Sequence, residues 1–295
     1  MATKRKTAKK SKSAKKRKAA AKRSFRSAMA IATSMRKPVK QRITAIAEAP
    51  LAVCESDKAL QAMLNVLGNK GEPIEVRLAA LQALQAASFS VVAFEQCHGD
   101  YLATLRKVVD DPDAELRQRV LGILMREKDG FAQKKLIEGL RNPDKALVPP
   151  EKALQLLSYD VHADAYKVAR SIVRRPPNGE ARREALRLLA ADATAAPLFE
   201  KLLRDKNELR EIRQISASAL HALKPKKLQQ LAREILLDKS DYDDIKATSL
   251  TALTQFGDKA VGKDEALLNS VDQLKGGASA KVKQTARQFL SKYGR

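Results

Sequence analysis

The chain contains no tryptophan, only 4% aromatic residues, two cysteines, 12 glycines and 11 prolines among its 295 residues. Cys54 and Cys97 cannot make a disulfide framework, so packing must hold the fold, and the expected setting is reducing and intracellular. Few breakers and an apolar set made mainly of alanine and leucine predict helices joined by short turns, with almost no strand. No run approaches the roughly 18 to 20 apolar residues that a membrane span needs. The N-terminus lacks the apolar core of a secretory signal, and it has no apolar stripe of the kind a mitochondrial presequence would show. The expectation is a soluble chain.

Acidic residues are missing from one place in particular. The first 40 residues hold 16 lysines and arginines and no acid, whereas the other 255 hold 41 basic and 34 acidic residues, so most of the net charge of +23 sits at the front. The cations of residues 1–23 are Lys4, Arg5, Lys6, Lys9, Lys10, Lys12, Lys15, Lys16, Arg17, Lys18, Lys22 and Arg23, set among Thr, Ser and Ala. Such a segment cannot bury enough apolar surface to offset ordering entropy, and like charges keep it extended, so residues 1–23 are expected to be a disordered basic tail. Its physical preference is for polyanions, nucleic acid first, read without regard to sequence because nothing in it recognises a base edge. Rival uses of the same charge are a nuclear import signal at Lys15–Lys18, adhesion to an anionic membrane or ribosome, and solubility. In composition the segment resembles the Lys/Ala-rich tails of linker-histone-type proteins.

From residue 24 onward one pattern recurs. Anchors at Val39, Val76, Leu116, Pro149, Ala181, Ile212, Ile245 and Val282 are spaced 37, 40, 33, 32, 31, 33 and 37 residues apart. Small or branched residues follow four places on, and usually leucine eight places on, as in Val76, Ala80 and Leu84. These positions share one helical face, and a second amphipathic segment precedes each such helix, "KALQAMLNVLGN" before Val76 for example. Hairpins repeated at this period cannot bury their apolar faces alone and must stack. The front half of the first hairpin is marginal, with Phe25, Met29, Ala32 and Met35 at helical spacing after Ser24. The stretch 87–100 is the least repeat-like insertion.

The anchors carry a resemblance. Val76-Arg77, "DDPDAELR" at 110–117, Ala181-Arg182, Ile212-Arg213, "DDIK" at 243–246 and Val282-Lys283 make residues 24–295 resemble the HEAT-repeat family. That resemblance implies an all-α fold, a right-handed alpha-solenoid of about eight HEAT-like helical hairpins preceded by the basic tail. Pro149-Pro150 departs from the anchor-basic pair, so irregularity is expected in the fourth hairpin.

Basic residues one place after the anchor, chiefly Arg77, Arg117, Arg182 and Arg213, admit two readings. They could form a basic ladder that follows a phosphate backbone. They could instead pair with acids near the preceding turns, such as Glu75, Asp113, Glu115, Glu180, Glu211 and Asp244, as HEAT repeats commonly do; this structural reading is favoured.

Catalytic motifs are lacking: no Gly-rich phosphate loop, no HExxH, and His98, His162 and His221 in different repeats without ligand-spaced partners. "GNKG" at 68–71 reads as a turn rather than a KH-type loop. The HEAT resemblance also implies two enzyme readings, a glycosylase for alkylated bases and a tetrapyrrole-handling enzyme, and neither finds a local motif. The expectation is therefore a non-enzymatic adaptor without metal or cofactor. Its tail would meet nucleic acid, and its solenoid a protein partner or more phosphate backbone. It would be intracellular, cytoplasmic and nucleoid-associated, or nuclear in a eukaryote. The alternatives are a protein scaffold whose tail is an address or a solubility device, and the DNA glycosylase.

Overall fold

The computed structural model describes residues 27–48, 56–90, 94–277 and 279–294. The basic segment 1–23, its boundary at residue 24, and Cys54 lie outside the described residues. Among the described residues there are sixteen α-helices and no strand, and the chain divides into two compact units that meet in sequence at Ala132 and Gln133. The fold is all-α, of the HEAT-like alpha-solenoid class.

The first unit holds three hairpins: α1 (27–32) with α2 (Val39–Ala47), α3 (Asp57–Gly68) with α4 (Ile74–Ser88), and α5 (His98–Val108) with α6 (Ala114–Arg126). The helix α7 (Gly130–Arg141) begins at the boundary and leads into the second unit. There it is followed by α8 (Pro150–Leu157), α9 (Ala163–Arg174), α10 (Gly179–Leu189), α11 (Ala196–Arg204), α12 (Arg210–Leu223), α13 (Pro225–Leu237), α14 (Asp243–Phe256), α15 (Glu265–Gly277) and α16 (Ala280–Tyr293). A front helix packs on its own back helix in α3–α4, α5–α6, α9–α10, α11–α12, α13–α14 and α15–α16, and back helices pack on each other along α8, α10, α12, α14 and α16.

The repeat pattern explains that packing. Val76, Ala80 and Leu84 are fully buried, as are Leu116, Val120 and Leu124, and Ala181, Ala185 and Leu189. Ala80 and Ala185 in the middle of their triplets let the back helices approach closely, and each buried leucine contributes about 1.5 to 3 kcal/mol relative to exposure. Where the middle residue is a serine, its hydroxyl is satisfied inside the helix: Ser216 Oγ donates to Ile212 O at 2.8 Å and Ser249 Oγ to Ile245 O at 2.9 Å. In the last hairpin Phe289 is fully buried and Leu290 only partly, among Val271, Val282 and Ala286.

The first hairpin departs from the expected register. Val39 is exposed and Ala47 lies at the surface, whereas Arg42, Ala45 and Ile46 are buried. The repeat position equivalent to Arg77 is therefore Arg42 and not Lys40. The tie is direct: Arg42 Nε donates to Ala32 O, ten residues back, as Arg77 Nε donates to Leu67 O. The front helix α1 is short, with Ala32 buried and Met35 exposed; Phe25 and Ser24 lie outside the described residues.

The fourth hairpin is irregular upstream of its back helix rather than within it. Pro150 takes the first helical position of α8, where its fixed φ fits and its missing N–H costs nothing. The preceding segment from Asn142 forms a short 3-10 turn at Pro143–Lys145, passes through an extended Ala146 and bends at Leu147 and Val148. The insertion after α4 is similarly anchored at one end. Phe94 is buried and meets Tyr101 edge-on with ring centroids 5.3 Å apart, while Phe89 is exposed.

A recurring guanidinium clamp ties hairpin to hairpin. In each case an arginine near the start of a back helix reaches an acid set two or three residues before the start of the next back helix. Arg42 pairs with Glu72 at 2.6 Å, Arg77 with Asp111 at 2.6 Å, Arg182 with Glu208 at 2.5 Å and Arg213 with Asp241 at 2.7 Å. Three of these arginines also donate through Nε to the carbonyl ten residues back, near the C-terminus of their own front helix: Ala32, Leu67 and Leu203, at 2.9, 3.0 and 2.9 Å. Those are carbonyls a helix end leaves unpaired, and a cation there also meets the negative pole of the helix.

Front helices carry a second set of ties. Arg106 binds Asp129, Arg170 binds Asp192 and Arg233 binds Asp264. Each of these aspartates also accepts a backbone N–H at the start of the next helical turn, from Ala132, Thr194 and Leu267 respectively. One carboxylate thus caps its own helix and holds its neighbour.

Buried and exposed pairs should differ sharply on truncation. Arg213→Ala leaves Asp241 buried without its counter-ion and should cost about 3 to 5 kcal/mol. Arg210 pairs with Asp244 at 3.2 Å at the surface, and Arg210→Ala should cost less than about 1 kcal/mol. Urea unfolding of the two variants measures both.

Candidate functional site

The clamp determines where the expected site residues lie. Arg77 and Arg213 are 4% and 3% exposed and bound to carboxylates, so they present no charge to a phosphate backbone. Arg182 is held by both oxygens of Glu208, and Arg117 turns back onto the carbonyls of Asp111 and Pro112 at 2.6 and 2.8 Å. The acids that pair with them are Asp111, Glu208 and Asp241, which lie one hairpin ahead, instead of the residues beside the anchors. Glu211 and Asp244 serve other partners: Arg183 and Arg187 reach Glu211, and Arg210 reaches Asp244. The twelve cations of the tail, from Lys4 to Arg23, lie outside the described residues.

Electrostatics follow from the clamp. Burial by itself would raise the Asp111 carboxyl, but the hydrogen bond from Arg77, the backbone N–H of Asp113 and the Arg77 charge outweigh it and hold the group below its ordinary value. Asp129 is lowered in the same way, with burial opposed by Arg106 and by the N–H of Ala132. A carboxyl depressed in the folded state adds stability above its unfolded value, and that stability is lost as pH falls towards the folded value. The urea midpoint should therefore hold from neutral pH down to about pH 5 and fall below about pH 4, with a smaller acid decline in Asp111→Asn.

The histidines have separate duties. His162 Nδ1 accepts from Ala165 N at 3.1 Å as the cap of α9, His98 meets Glu127 at 3.1 Å, and His221 meets Gln255 at 3.0 Å. "GNKG" is a turn in which Asn69 Oδ1 accepts the N–H of Gly71. Among the described residues no three His, Cys, Asp or Glu side chains cluster at metal-binding distance.

The concave feature with the most defined chemistry lies in the second unit, where the repeat is irregular. A groove of about 590 Å³ opens between the second half of α7, the segment after Pro143 and the end of α9. Its walls are apolar, formed by Leu136, Leu140, Leu147, Val148, Ile172 and Pro176. The clamp is missing here, because Pro149-Pro150 stands where an anchor-arginine pair would be. A weaker tie replaces it, Asn178 donating to Glu151 at 3.2 Å. Arg141 and Arg175 stand among the lining residues, and among the described residues neither has an ion-pair partner. Glu138, the acid on the same helix, is bridged to Lys145, whose hydrogen bond and charge hold its carboxyl low. The groove therefore combines greasy walls with uncompensated positive charge.

No protein-family model matches the chain, and no curated protein matches it. Its fold is similar to solved ones. One is the complex of CpcE and CpcF of phycocyanin lyase from Nostoc sp. PCC7120, at 17% identity and a TM-score of 0.38, covering 90% of this chain and 92% of that chain. Another is human deoxyhypusine hydroxylase in complex with glycerol, at 14% identity and a TM-score of 0.36, covering 83% of this chain and 99% of that chain. Both are enzymes by name, and this corrects the expectation that the chain is not an enzyme. The physical reason is that helical repeats can bring side chains of different hairpins together, so the lack of a local sequence motif does not exclude catalysis. Among the described residues no helix is long and apolar enough to cross a membrane.

The groove depends on one close approach. A Cβ on Gly139 would lie 2.8 Å from Ala146 Cα and 3.3 Å from Lys145 O, so only glycine lets the segment after Pro143 lie against α7. Gly139→Ala should displace that segment and cost about 1 to 3 kcal/mol, read as a lowered thermal midpoint.

Proposed function

We propose that the protein is a helical-repeat adaptor. Its N-terminal segment contacts nucleic acid through charge alone, and its hairpin array holds a protein partner. The observation that carries this reading is the partition of charge: twelve lysines and arginines in residues 1–23, with no acid before Glu48. In the body, by contrast, many arginines are committed to the clamps and surface pairs. A basic stretch with no acids among it is where phosphates gain most from replacing counterions. Joining a weak, salt-sensitive contact to a second binding site raises the effective concentration at that site, so neither contact has to be tight.

The test is fluorescence anisotropy with a random DNA duplex and an RNA of equal length across a salt series. The full chain is compared with a full-length variant carrying glutamine at all twelve tail cations. If about 6 to 10 phosphates are met, log K should fall against log salt with a slope of roughly −5 to −9, and the glutamine variant should lose that binding. Unchanged binding by the glutamine variant would end the nucleic-acid reading. Absence of binding by both would leave the tail as an address or a solubility element.

A further inference from the structure

The groove of the second unit fits a particular kind of partner surface. Its volume, about 590 Å³, lies within the range of pockets that enclose a compact ligand or several side chains. The walls are mostly leucine, isoleucine, valine, alanine and proline, so the greater part of whatever fills the groove must be apolar. Arg141 and Arg175, in contrast, are exposed and without carboxylate partners among the described residues. Arg174, one residue before Arg175 at the end of α9, is likewise exposed and unpaired there. Elsewhere in the same unit, Arg170, Arg182, Arg204, Arg213 and Arg233 all bind carboxylates of this chain. Among the described residues Arg141, Arg174 and Arg175 have no such acid, and Glu151 beside the groove is engaged by Asn178. Guanidinium forks prefer carboxylates, which they bind in pairs of parallel hydrogen bonds.

We infer that this groove is a docking site for an acidic peptide segment, with bulky apolar side chains filling the space between Leu136, Leu147 and Ile172 while its carboxylates meet Arg141 and Arg175. The inference rests on the adaptor reading and names the place and chemistry of its protein contact. The pattern is that of a compact interface: an apolar anchor in a dry pocket, and charged contacts on the rim that steer approach and fix register.

The probe is a fluorescein-labelled acidic peptide of aspartate and glutamate bearing two leucines and a phenylalanine, titrated into the full chain in salt high enough to weaken binding to the basic tail. A control peptide has serine at the three apolar positions. Two variants alter the groove at exposed positions: Ser171→Trp fills it, and the double change Arg141→Gln with Arg175→Gln removes the charge while keeping most of each side chain. Each variant should bind the peptide at least about tenfold more weakly, a loss of about 1.4 kcal/mol, with an unchanged thermal midpoint. The serine control should bind weakly to every form.

Equal affinity in wild type and both variants would place the peptide elsewhere and overturn the inference. So would equal binding of the serine control, or capture of dodecanoate that the peptide fails to displace, which would make the groove a lipid site. Repeating the titration on the chain with glutamine at the tail cations separates the two readings, because peptide binding that persists there stands even if nucleic-acid binding fails.

Discussion

A single guanidinium performs three tasks in three of the hairpins, those of Arg42, Arg77 and Arg213. Arg213 lies near the start of its own back helix, closes the end of its front helix through Leu203 O, and reaches forward to Asp241 before the next back helix. Hairpins cannot bury their apolar faces alone, and apolar packing by itself is tolerant of small slides along the stack. A buried fork bound to a fixed carbonyl and a fixed carboxylate is far less tolerant, since displacing it would strand a charge away from water. Leucine and alanine supply the area that drives stacking, and arginine and aspartate set its register.

The clamp also sorts the charges of the chain. Arginines within it carry no exposed field, so the body offers a ligand its surface lysines and only a few uncommitted arginines. Among the described residues the uncommitted arginines include Arg36 in the block before Glu48, Arg141, Arg174 and Arg175 around the groove of the fourth and fifth hairpins, and Arg287 on α16. The irregular hairpin is where the two themes meet. Prolines at 149 and 150 remove the anchor-arginine pair, an irregular segment replaces a regular turn, and the space left between α7 and α9 is the groove.

Much of the architecture was legible because it obeys one period. The triplets at Val76, Leu116, Ala181, Ile212 and Ile245 are buried as their spacing requires, and seven of the front helices lie where amphipathic segments precede the anchors. The first hairpin misled because Val39, Ile43 and Ala47 mimic the triplet, while the true register follows Arg42, whose role only its contacts reveal. The arginines one place after the anchor are plain in the sequence, but the partners of Arg77, Arg182 and Arg213 lie one hairpin ahead and not beside the anchors. Glu72, Asp111, Glu208 and Asp241 precede their anchors by four or five residues, a spacing that could have identified them. The groove left no such trace. It arises from what Pro149-Pro150 displaces and from Gly139, and neither residue type announces a cavity in a sequence.

Phenylglyoxal modification of the native full chain, with each arginine followed by peptide mass mapping, tests the division into committed and available charge most directly. The account predicts fast modification at Arg141, Arg174 and Arg175 and slow modification at Arg42, Arg77 and Arg213, with the difference abolished in denaturant. Modification of Arg77 and Arg213 as fast as Arg141 and Arg175 in the native chain would contradict it.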